Sequence, residues 1–388
     1  METYKLSDLC EILDAKRKPL SALQRAKKQG IYPYYGAQGI IDHLDEYLLD
    51  GEYLLVAEDG ANLETRNQPI ANIAKGKIWV NNHAHVLGSN GKCPLNLLGF
   101  ILNNMNISPY VTGCAQPKLN QENLRNIEIE LPSHIDSIAS ILSSLDRKIE
   151  LNNKINADLE EMAQAIFKNW FVDFEPFKDG KFVDSELGMI PEGWKVGRAD
   201  DFDQINIGKT PPRKEHKWFS TNPADKIWVS IANMGNSGIF ISDSSEYLTK
   251  EAVDRHNIIM VPRNTILLSF KLTVGRVAIA DKELTTNEAI ARFILSDDKY
   301  MEYLYLYLKN FDYNSLGSTS SIATAVNSKT IKGMQMLQPS DKIIDAFHIQ
   351  VNPIFEKIRS LTKENSRLSL LRDTLLPRLM SGELEVPE

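Results

Sequence analysis

The sequence predicts an α+β protein with two similar globular domains, each followed by a long helix, and with the two helices paired as an intramolecular coiled coil. Apolar residues recur every three or four positions in residues 135–171 and again in 344–375. We call each run of recurring positions a seam. When the second seam is shifted by 209 residues, the positions of the two seams coincide, and Asn156 corresponds to Asn365. We therefore predict an internal duplication whose helices pair within one chain.

The seam positions indicate how the helices meet. An asparagine at such a position fixes register at some cost in stability, so we expect Asn156 and Asn365 to align the pair. Pro377 and Gly382 are expected to end the second helix. The residues assigned to helix pairing are Leu142, Leu145, Ile149, Asn156, Leu159 and Ile166 in the first helix, and Val351, Ile354, Ile358, Leu361, Asn365 and Leu368 in the second.

Length and charge support two domains. A chain of 388 residues exceeds what one hydrophobic core usually serves. We place the boundaries at residues 1–132, 133–180, 181–340 and 341–388. The net charge is −7, yet residues 133–180 hold 5 Lys and Arg against 9 Asp and Glu, whereas residues 181–340 hold 19 of each. The acidic excess therefore lies mainly on the central helix, and each globular block can present a basic face.

Composition also excludes several classes of protein. No apolar run approaches the roughly 18 residues of a membrane helix, and the first residues do not resemble a signal peptide, so we expect a cytoplasmic location. Cys10, Cys93 and Cys114 match no zinc spacing and are expected to be reduced thiols. No metal is predicted for this chain.

The first block reads as strands joined by polar loops. Residues 52–57 and 76–80 are predicted strands separated by a polar turn, and residues 124–131 form an alternating segment that stops at Pro132. His83 and His85 would lie on one face of a strand, where a structural role competes with metal ligation. No third ligand stands nearby in the sequence, which favours the structural role.

The second block repeats this plan. Residues 269–279 predict a strand pair with cations near its bend, and residues 300–307 predict a packed helix. The pairs Asn120 and Asn327, Leu124 and Ile331, and Pro132 and Pro339 share one offset of 207 residues. The duplication thus extends into the globular blocks.

Catalytic motifs are missing from the sequence. The nearest match to an amine-methyltransferase motif, at residues 352–355, lacks its second proline, and no Gly-x-x-x-x-Gly-Lys-Ser/Thr phosphate loop is present. The acidic residues Asp281 and Glu283 beside Lys282 are too common a pattern to indicate a nuclease. We therefore expect a protein that acts by binding.

Three segments carry a recognisable sequence pattern: residues 162–174, residues 186–194 and residues 371–384. Together they resemble one family, the DNA-specificity subunits of type I restriction-modification enzymes. The resemblance implies a non-catalytic subunit whose two target-recognition domains read a split DNA sequence, and whose helices pack antiparallel with pseudo-twofold symmetry. It also implies partners: double-stranded DNA, two methyltransferase subunits and, in the full complex, restriction and translocase subunits. S-adenosylmethionine, ATP and Mg would be bound by those partners and not by this chain.

Polar and cationic loops supply the candidate DNA contacts. Lys and Arg neutralise phosphates and suit guanine edges, Gln suits adenine, and Tyr can stack; for the basic run beside the tyrosines, a solvated loop with core tyrosines stays an alternative. The candidates in the first block are Lys16, Arg17, Lys18, Tyr34, Tyr35, Gln116 and Lys118, and those in the second are Lys209, Arg213, Lys214, Lys271, Arg276, Ser318, Thr319 and Ser320.

The paired helices are expected to set the spacing of the two half-sites. A helix of about 30 residues spans about 45 Å, and a turn of B-DNA is about 34–36 Å. A heptad insertion should therefore lengthen the preferred spacer by about 3 base pairs. The alternative is an adaptor whose helices scaffold a complex without reading DNA, and salt-dependent, sequence-specific binding to duplex DNA would separate the two.

Overall fold

The computed structural model describes residues 2–113, 116–132, 134–316 and 326–384. The chain divides into two compact units, one formed by Met1–Glu150 with Ser366–Glu388 and the other by Leu151–Asn365. Each unit therefore contains one globular block and part of both long helices. No helix among the described residues is long and apolar enough to cross a membrane.

The first unit is built on a six-stranded sheet. Its strands run in the order β2-β7-β5-β6-β3-β4, and only the β3–β6 pairing is parallel. A separate antiparallel pair joins β1 to β8. The strands of this block are β1 (Glu2–Lys5), β2 (Cys10–Ile12), β3 (Gln29–Gly36), β4 (Gly39–Leu44), β5 (Leu49–Ala57), β6 (Ala71–Val80), β7 (Ala84–Ser89) and β8 (Glu128–Leu131), and its helices are α1 (Leu6–Leu9), α2 (Ala22–Ala26), α3 (Asn62–Thr65), α4 (Leu95–Asn104) and α5 (Gln121–Arg125).

The strands β5 and β6 confirm the two predicted in this block. The alternating segment at residues 124–131 is only partly a strand, because Asn120 accepts a hydrogen bond from the Asn123 amide and caps α5. The strand prediction for residues 124 and 125 is therefore wrong. His83 lies in the turn before β7 and not on one strand face with His85.

The second unit contains a five-stranded sheet in the order β12-β20-β17-β18-β15 and a four-stranded sheet in the order β13-β16-β14-β19. The pair β11–β21 is antiparallel, like β1–β8. The strands of this block are β9 (Phe182–Val183), β10 (Ile190–Pro191), β11 (Lys195–Arg198), β12 (Gln204–Ile207), β13 (Phe219–Ser220), β14 (Lys226–Val229), β15 (Phe240–Ile241), β16 (Tyr247–Leu248), β17 (Ile266–Ser269), β18 (Val277–Ala280), β19 (Thr285–Thr286), β20 (Ile290–Ile294) and β21 (Gln335–Gln338), and its helices are α7 (Ala199–Phe202), α8 (Ile231–Asn236), α9 (Lys250–Arg255), α10 (Met301–Asn310) and α11 (Ser328–Lys332).

The predicted duplication is visible in the strand order. β2-β7-β5-β6-β3 corresponds to β12-β20-β17-β18-β15, with the last pair parallel and the others antiparallel in both sheets. Asn327 caps α11 as Asn120 caps α5. The predicted packed helix of the second block is α10 and is confirmed. The predicted strand pair exists as β17–β18, but residues 270–276 form the turn between the strands, and β17 lies mostly before the predicted segment.

The long helices α6 (Ile135–Phe171) and α12 (Asp341–Met380) begin where the sequence predicted. Pro377 does not end α12, which continues to Met380. Gly382, at a φ of +73°, follows the last turn, and its amide binds the Leu379 carbonyl. The prediction for Pro377 as a terminator is therefore wrong.

In the second unit the helices run antiparallel. Asn152 of α6 bonds Asn365 of α12 at 2.9 Å, whereas Phe167, further along α6, contacts Phe347, which is earlier in α12. The core there contains Phe167, Phe171, Val351 and Ile358, with Leu159, Ile166 and Ile354 packed against it. Leu361 is also buried.

In the first unit the remaining parts of the helices cover the sheet. Leu142 lies in one core with Leu376 and Leu379, and Arg372 binds Asp146 at 2.7 Å. Leu145 and Ile149, with Leu368, are half-buried. An apolar stripe on α6 is thus buried within this unit as well as in the other.

Asn156 and Asn365 occupy matching places in the duplication but do not face each other. Asn365 bonds Asn152 and Asn153, while the buried Oδ1 of Asn156 has no hydrogen-bond partner among the described residues. The antiparallel register places Asn156, one turn beyond Asn152, at the level of Leu361. The expected alignment of the helices by Asn156 and Asn365 together is therefore wrong, because Asn152 takes the role of Asn156.

Candidate nucleic-acid interface

In the first block three loops meet where β5 ends and β7 begins. The Glu58 amide bonds the His83 carbonyl at 2.9 Å, and the Glu58 carbonyl accepts the Leu119 amide at 2.8 Å. The Gly60 amide bonds the Pro117 carbonyl at 3.1 Å. These backbone bonds bring the polar turn at residues 58–61, the turn at 81–83 and the loop residues 112–113 and 116–119 to one edge, which we call the first loop face.

A buried polar network supports the first loop face. The Asp14 carboxylate contacts His85 Nδ1 at 2.6 Å and accepts from the Val86 amide at 2.9 Å and from Gln121 at 3.1 Å. His85 Nε2 contacts the Leu119 carbonyl at 2.7 Å. Burial raises the pKa of Asp14, but the His85 hydrogen bond and the Arg17 charge more than offset it, so the pKa lies below its ordinary value.

Arg17 belongs to this network. Its guanidinium lies 2.6 Å from Glu58 and 3.3 Å from Asp14, donates to the Ala84 carbonyl at 3.0 Å, and its side chain is only 15% exposed. Asp14, Glu58 and His85 are close enough to share a metal ion. Arg17 already neutralises both carboxylates, so the arrangement is that of a hydrogen-bonded support. We therefore interpret Arg17 as a support of the first loop face, and a DNA contact by Arg17 stays a prediction.

Tyr34 is also a structural residue. Its side chain is buried beside Leu44 and Trp79, and its hydroxyl accepts the Leu20 amide at 2.9 Å. A ring enclosed in this way cannot stack on a base, so the prediction for Tyr34 is wrong. The alternative of a loop beside core tyrosines is correct at this position.

The other candidates of the first block remain accessible. Lys16, Lys18 and Gln116 are exposed, and Tyr35 is half-buried. Lys118 is 51% exposed and pairs with Glu58 at 3.2 Å. Their DNA contacts stay a prediction. His83 was not among the predicted DNA contacts, but its side chain is 49% exposed on the first loop face and binds Asp59 at 2.7 Å.

The second loop face lies at the corresponding end of the five-stranded sheet. It is formed by the residues after β12, by the β17–β18 turn and by the residues before β20. The Lys209 amide bonds the Thr286 carbonyl at 2.8 Å, and the Phe270 amide bonds the Ala289 carbonyl at 3.0 Å. Two connections are therefore common to both faces, the one after β5 or β17 and the one before β7 or β20.

Arg213 is the most structured cation of the second loop face. Its guanidinium carbon lies 4.3 Å from the ring centre of Phe219 and 4.4 Å from that of Trp228. Its Nη1 atom lies 2.6 and 2.8 Å from the Glu246 oxygens, yet half of the side chain is exposed. Stacking and pairing fix the plane of the guanidinium, which is the condition for bidentate recognition.

The neighbouring candidates differ in burial. Lys214 and Lys271 are exposed, while Lys209 donates to the His256 carbonyl at 2.5 Å. Arg276 is half-buried and donates to the Ile231 carbonyl at 2.8 Å. DNA contacts by these four residues stay a prediction. Ser318, Thr319 and Ser320 lie outside the described residues.

The Glu288 carboxyl is influenced by cations from two connections of the second loop face. Burial raises the pKa of its carboxyl, but the Thr210 hydroxyl, Lys271 and Arg213 more than offset this effect and hold the pKa below its ordinary value. Lys271 and Arg213 therefore act on one carboxylate. The Thr210 hydroxyl also donates a hydrogen bond to the Glu288 carboxylate, which joins the loop after β12 to the residues before β20.

The fold is that of a duplicated α+β protein with paired helices, and comparisons with known proteins assign it to a family. The family model for the type I restriction modification DNA specificity domain matches residues 1–161 and 191–348. The chain therefore belongs to the family of type I restriction-modification DNA specificity subunits, as the resemblance in the sequence implied.

Individual relatives agree with this assignment. The chain is 28% identical over 331 residues to the specificity subunit of the type I restriction enzyme HindI of Haemophilus influenzae, covering 69% of this chain and 71% of that protein. It is 32% identical over 288 residues to the MjaIX specificity subunit of Methanocaldococcus jannaschii, covering 71% and 65%. The S subunit of a type I system from M. genitalium has a similar fold, with a TM-score of 0.56 at 14% identity over 100% of this chain and 96% of that one.

Proposed function

We propose that each block of this chain reads one part of a bipartite DNA target and that the chain recruits methyltransferase subunits to it. The observation that carries the proposal is the repeated loop face. In both blocks the same end of a sheet with the same strand order gathers exposed cations and polar side chains. Two such faces in one chain suit a target with two parts.

The two faces offer different chemistry to DNA. Gln116 on the first loop face suits an adenine edge, and Arg213 on the second suits the O6 and N7 atoms of guanine. Lysines such as Lys16 and Lys214 suit phosphates, which position the protein without specifying sequence. We therefore assign base reading to Gln116 and Arg213, and positioning to the lysines.

The chemistry of methylation and cleavage belongs, in this proposal, to partner subunits. Relatives are named as specificity subunits of type I restriction enzymes. S-adenosylmethionine would then be bound by two methyltransferase subunits, and ATP and Mg by restriction subunits in the full complex. The chain itself would determine the DNA sequence at which the complex binds.

Methylome sequencing of cells with and without the gene would test the proposal. We expect a two-part methylated sequence that is lost with the gene. Arg213→Lys keeps the charge but loses the planar fork, so it should relax one base of one half-site at a cost of about 1–3 kcal/mol. Gln116→Ala should relax the other half-site.

Lys214→Ala is the matched control for Arg213→Lys. It should weaken binding of the methyltransferase complex to all sequences about equally and lower the salt slope by about 1. A target without two parts, or the same relaxation from both Gln116→Ala and Arg213→Lys, would contradict the proposal. Binding that ignores sequence would favour the adaptor.

A further inference from the structure

The turn between β17 and β18 is held by a buried serine. The Ser269 hydroxyl donates to the Thr273 carbonyl at 2.6 Å and accepts the Arg276 amide at 3.0 Å. The Ser269 carbonyl accepts the Gly275 amide at 3.0 Å. Because Ser269 is fully buried, the base of the turn is fixed.

The tip of this turn is strained at Leu272. The Thr273 amide bonds the Lys271 carbonyl at 2.7 Å, which closes a three-residue turn around Leu272. The φ of Leu272 is +62°, so this is the rare γ-turn with positive φ. Glycine and asparagine tolerate this region far better than leucine does.

Among the described residues, Leu272 has the most exposed of the large apolar side chains. Leu272 is 99% exposed, whereas Ile259 of the same unit is 52% exposed. A leucine at a position that disfavours it, with its whole side chain in water, contributes nothing to the described fold. We look for its contribution in a bound state.

Its surroundings indicate the kind of partner. Lys271 precedes it and Thr273 follows it, and both are exposed. The β17–β18 turn is one of the three connections that form the second loop face, so its tip lies at that face. An exposed apolar side chain between a cation and a hydroxyl, which are groups suited to phosphate, fits a nucleic acid better than an apolar protein surface.

We propose that Leu272 is a wedge that inserts between two adjacent base pairs of bound DNA and unstacks them. This inference rests on the proposed function, because it takes the second loop face as the DNA-binding surface. Apolar side chains that enter a base step bend the duplex and allow more of the protein surface to contact DNA. Lys271 and Thr273 would contact the flanking phosphates.

A series at position 272 separates the wedge from the turn. Leu272→Asn and Leu272→Gly suit the positive φ and remove the apolar side chain, whereas Leu272→Met keeps it. Each variant would be assembled with the methyltransferase subunits and bound to the methylome-defined target carrying 2-aminopurine at successive positions. Wild type and Leu272→Met should raise the fluorescence at one step, and Leu272→Asn and Leu272→Gly should not.

Affinity should follow the same order. Removing the leucine side chain, which in the proposed complex is buried between base pairs, should weaken DNA binding about ten- to a hundredfold. A mismatch at the unstacked step should restore most of this loss, because the mismatch removes the cost of opening the step. Lys271→Ala is the control: it should lower the salt slope by about 1, whereas Leu272→Asn should leave the slope unchanged.

Two results would overturn the wedge while leaving the proposed function intact. In the first, wild type binds its target specifically, but Leu272→Asn binds equally well with the same fluorescence. In the second, Leu272→Asn loses a subunit of the complex and keeps its DNA affinity, which would make Leu272 a protein contact. If wild type shows no sequence preference, the proposed function itself fails.

Discussion

The two globular blocks share a frame and differ inside it. Both begin with an antiparallel strand pair, β1–β8 or β11–β21, followed by a four-residue helix, and both place five strands in the same order. Counting from the antiparallel strand pair that both blocks share, Ile12 corresponds to Ile205. Ile12 pairs with Leu87 across the sheet, and Ile205 pairs with Phe293. Two residues before these partners stand His85 in the first block and Ala291 in the second, both buried.

This difference shows how one fold carries two loop faces. In the first block His85 and Asp14 form a polar network that holds the loop residues 112–113 and 116–119. In the second block the buried cation is Arg292, one residue further along, which binds the carbonyls of Ile259 and Ile207 at 2.8 Å each. The shared strand order determines where the loops leave the sheet. The buried polar side chains beneath the loops determine their conformation through hydrogen bonds to the loop backbone.

The largest expected effect comes from breaking the first network. Asp14→Leu leaves His85 and Gln121 without their carboxylate, and we expect the first unit to lose about 3–5 kcal/mol of unfolding free energy. Hydrogen exchange of β2 and β7 would report it. The corresponding position of the second block, Ile207, is apolar, so Ile207→Leu should cost less than about 1.5 kcal/mol. Equal losses from the two changes would contradict the assigned role of Asp14.

The second prediction contrasts the pH dependence of the units. Burial raises the pKa of Asp203 from 3.8 to about 6. The folded state then binds the proton more tightly than the unfolded state, so the second unit should lose up to about 3 kcal/mol as pH rises from about 4 to 6. The pKa of Asp14 is lowered, so its contribution is present above about pH 4 and is lost as pH falls below it.

The second block's pH dependence has a built-in control. The corresponding residue of the first block, at the end of α1, is Cys10, whose pKa burial raises to about 12, so it stays neutral over this range. Asp203→Asn should abolish the loss of stability between pH 4 and 6. Urea unfolding followed by hydrogen exchange would separate the units, and a persistent slope in Asp203→Asn would assign the effect to another group.

The third prediction concerns the helix pair of the second unit. Asn152 bonds Asn365 and Glu364, so Asn152→Leu should cost about 1–3 kcal/mol by leaving buried polar atoms unpaired. Asn156→Leu removes an unpaired buried oxygen and should raise the unfolding free energy by about 1 kcal/mol. Urea unfolding would measure both, and stabilisation by Asn152→Leu would reject the pair.

The fourth prediction tests the shared frame. Asp8 accepts the Lys5 amide at 3.2 Å, and Asp201 accepts the Arg198 amide at 3.1 Å, each at the start of a four-residue helix. Asp8→Ala and Asp201→Ala should each cost about 1 kcal/mol. Nearly equal losses in urea unfolding are the expected outcome, and a large difference would show that the frame is not equivalent in the two blocks.

Sequence periodicity predicted the long helices, the main strands and the β17–β18 turn, because each is encoded by spacing along the chain. It misjudged Tyr34, whose ring packs against Trp79, and it gave no sign that Arg17 pairs with Glu58, because both partners are far away in sequence. It also matched Asn156 to Asn365, since duplication aligns equivalent positions, whereas antiparallel pairing brings Asn152 to Asn365. Residue spacing along the chain therefore did not predict the contacts between elements that are distant in sequence.

The smallest expected effect is at the tip of the β17–β18 turn. Leu272→Gly removes a side chain that is 99% exposed at a φ of +62°, so it should raise the unfolding free energy of the second unit by about 0.5–1 kcal/mol. The gain is limited because glycine also increases the entropy of the unfolded chain. Gly39 of the β3–β4 turn has a φ of +115°, and Gly39→Leu should destabilise the first unit. Urea unfolding in which Leu272→Gly lowers stability would mean that the leucine supports the fold, and the strain would then have no use in a bound state.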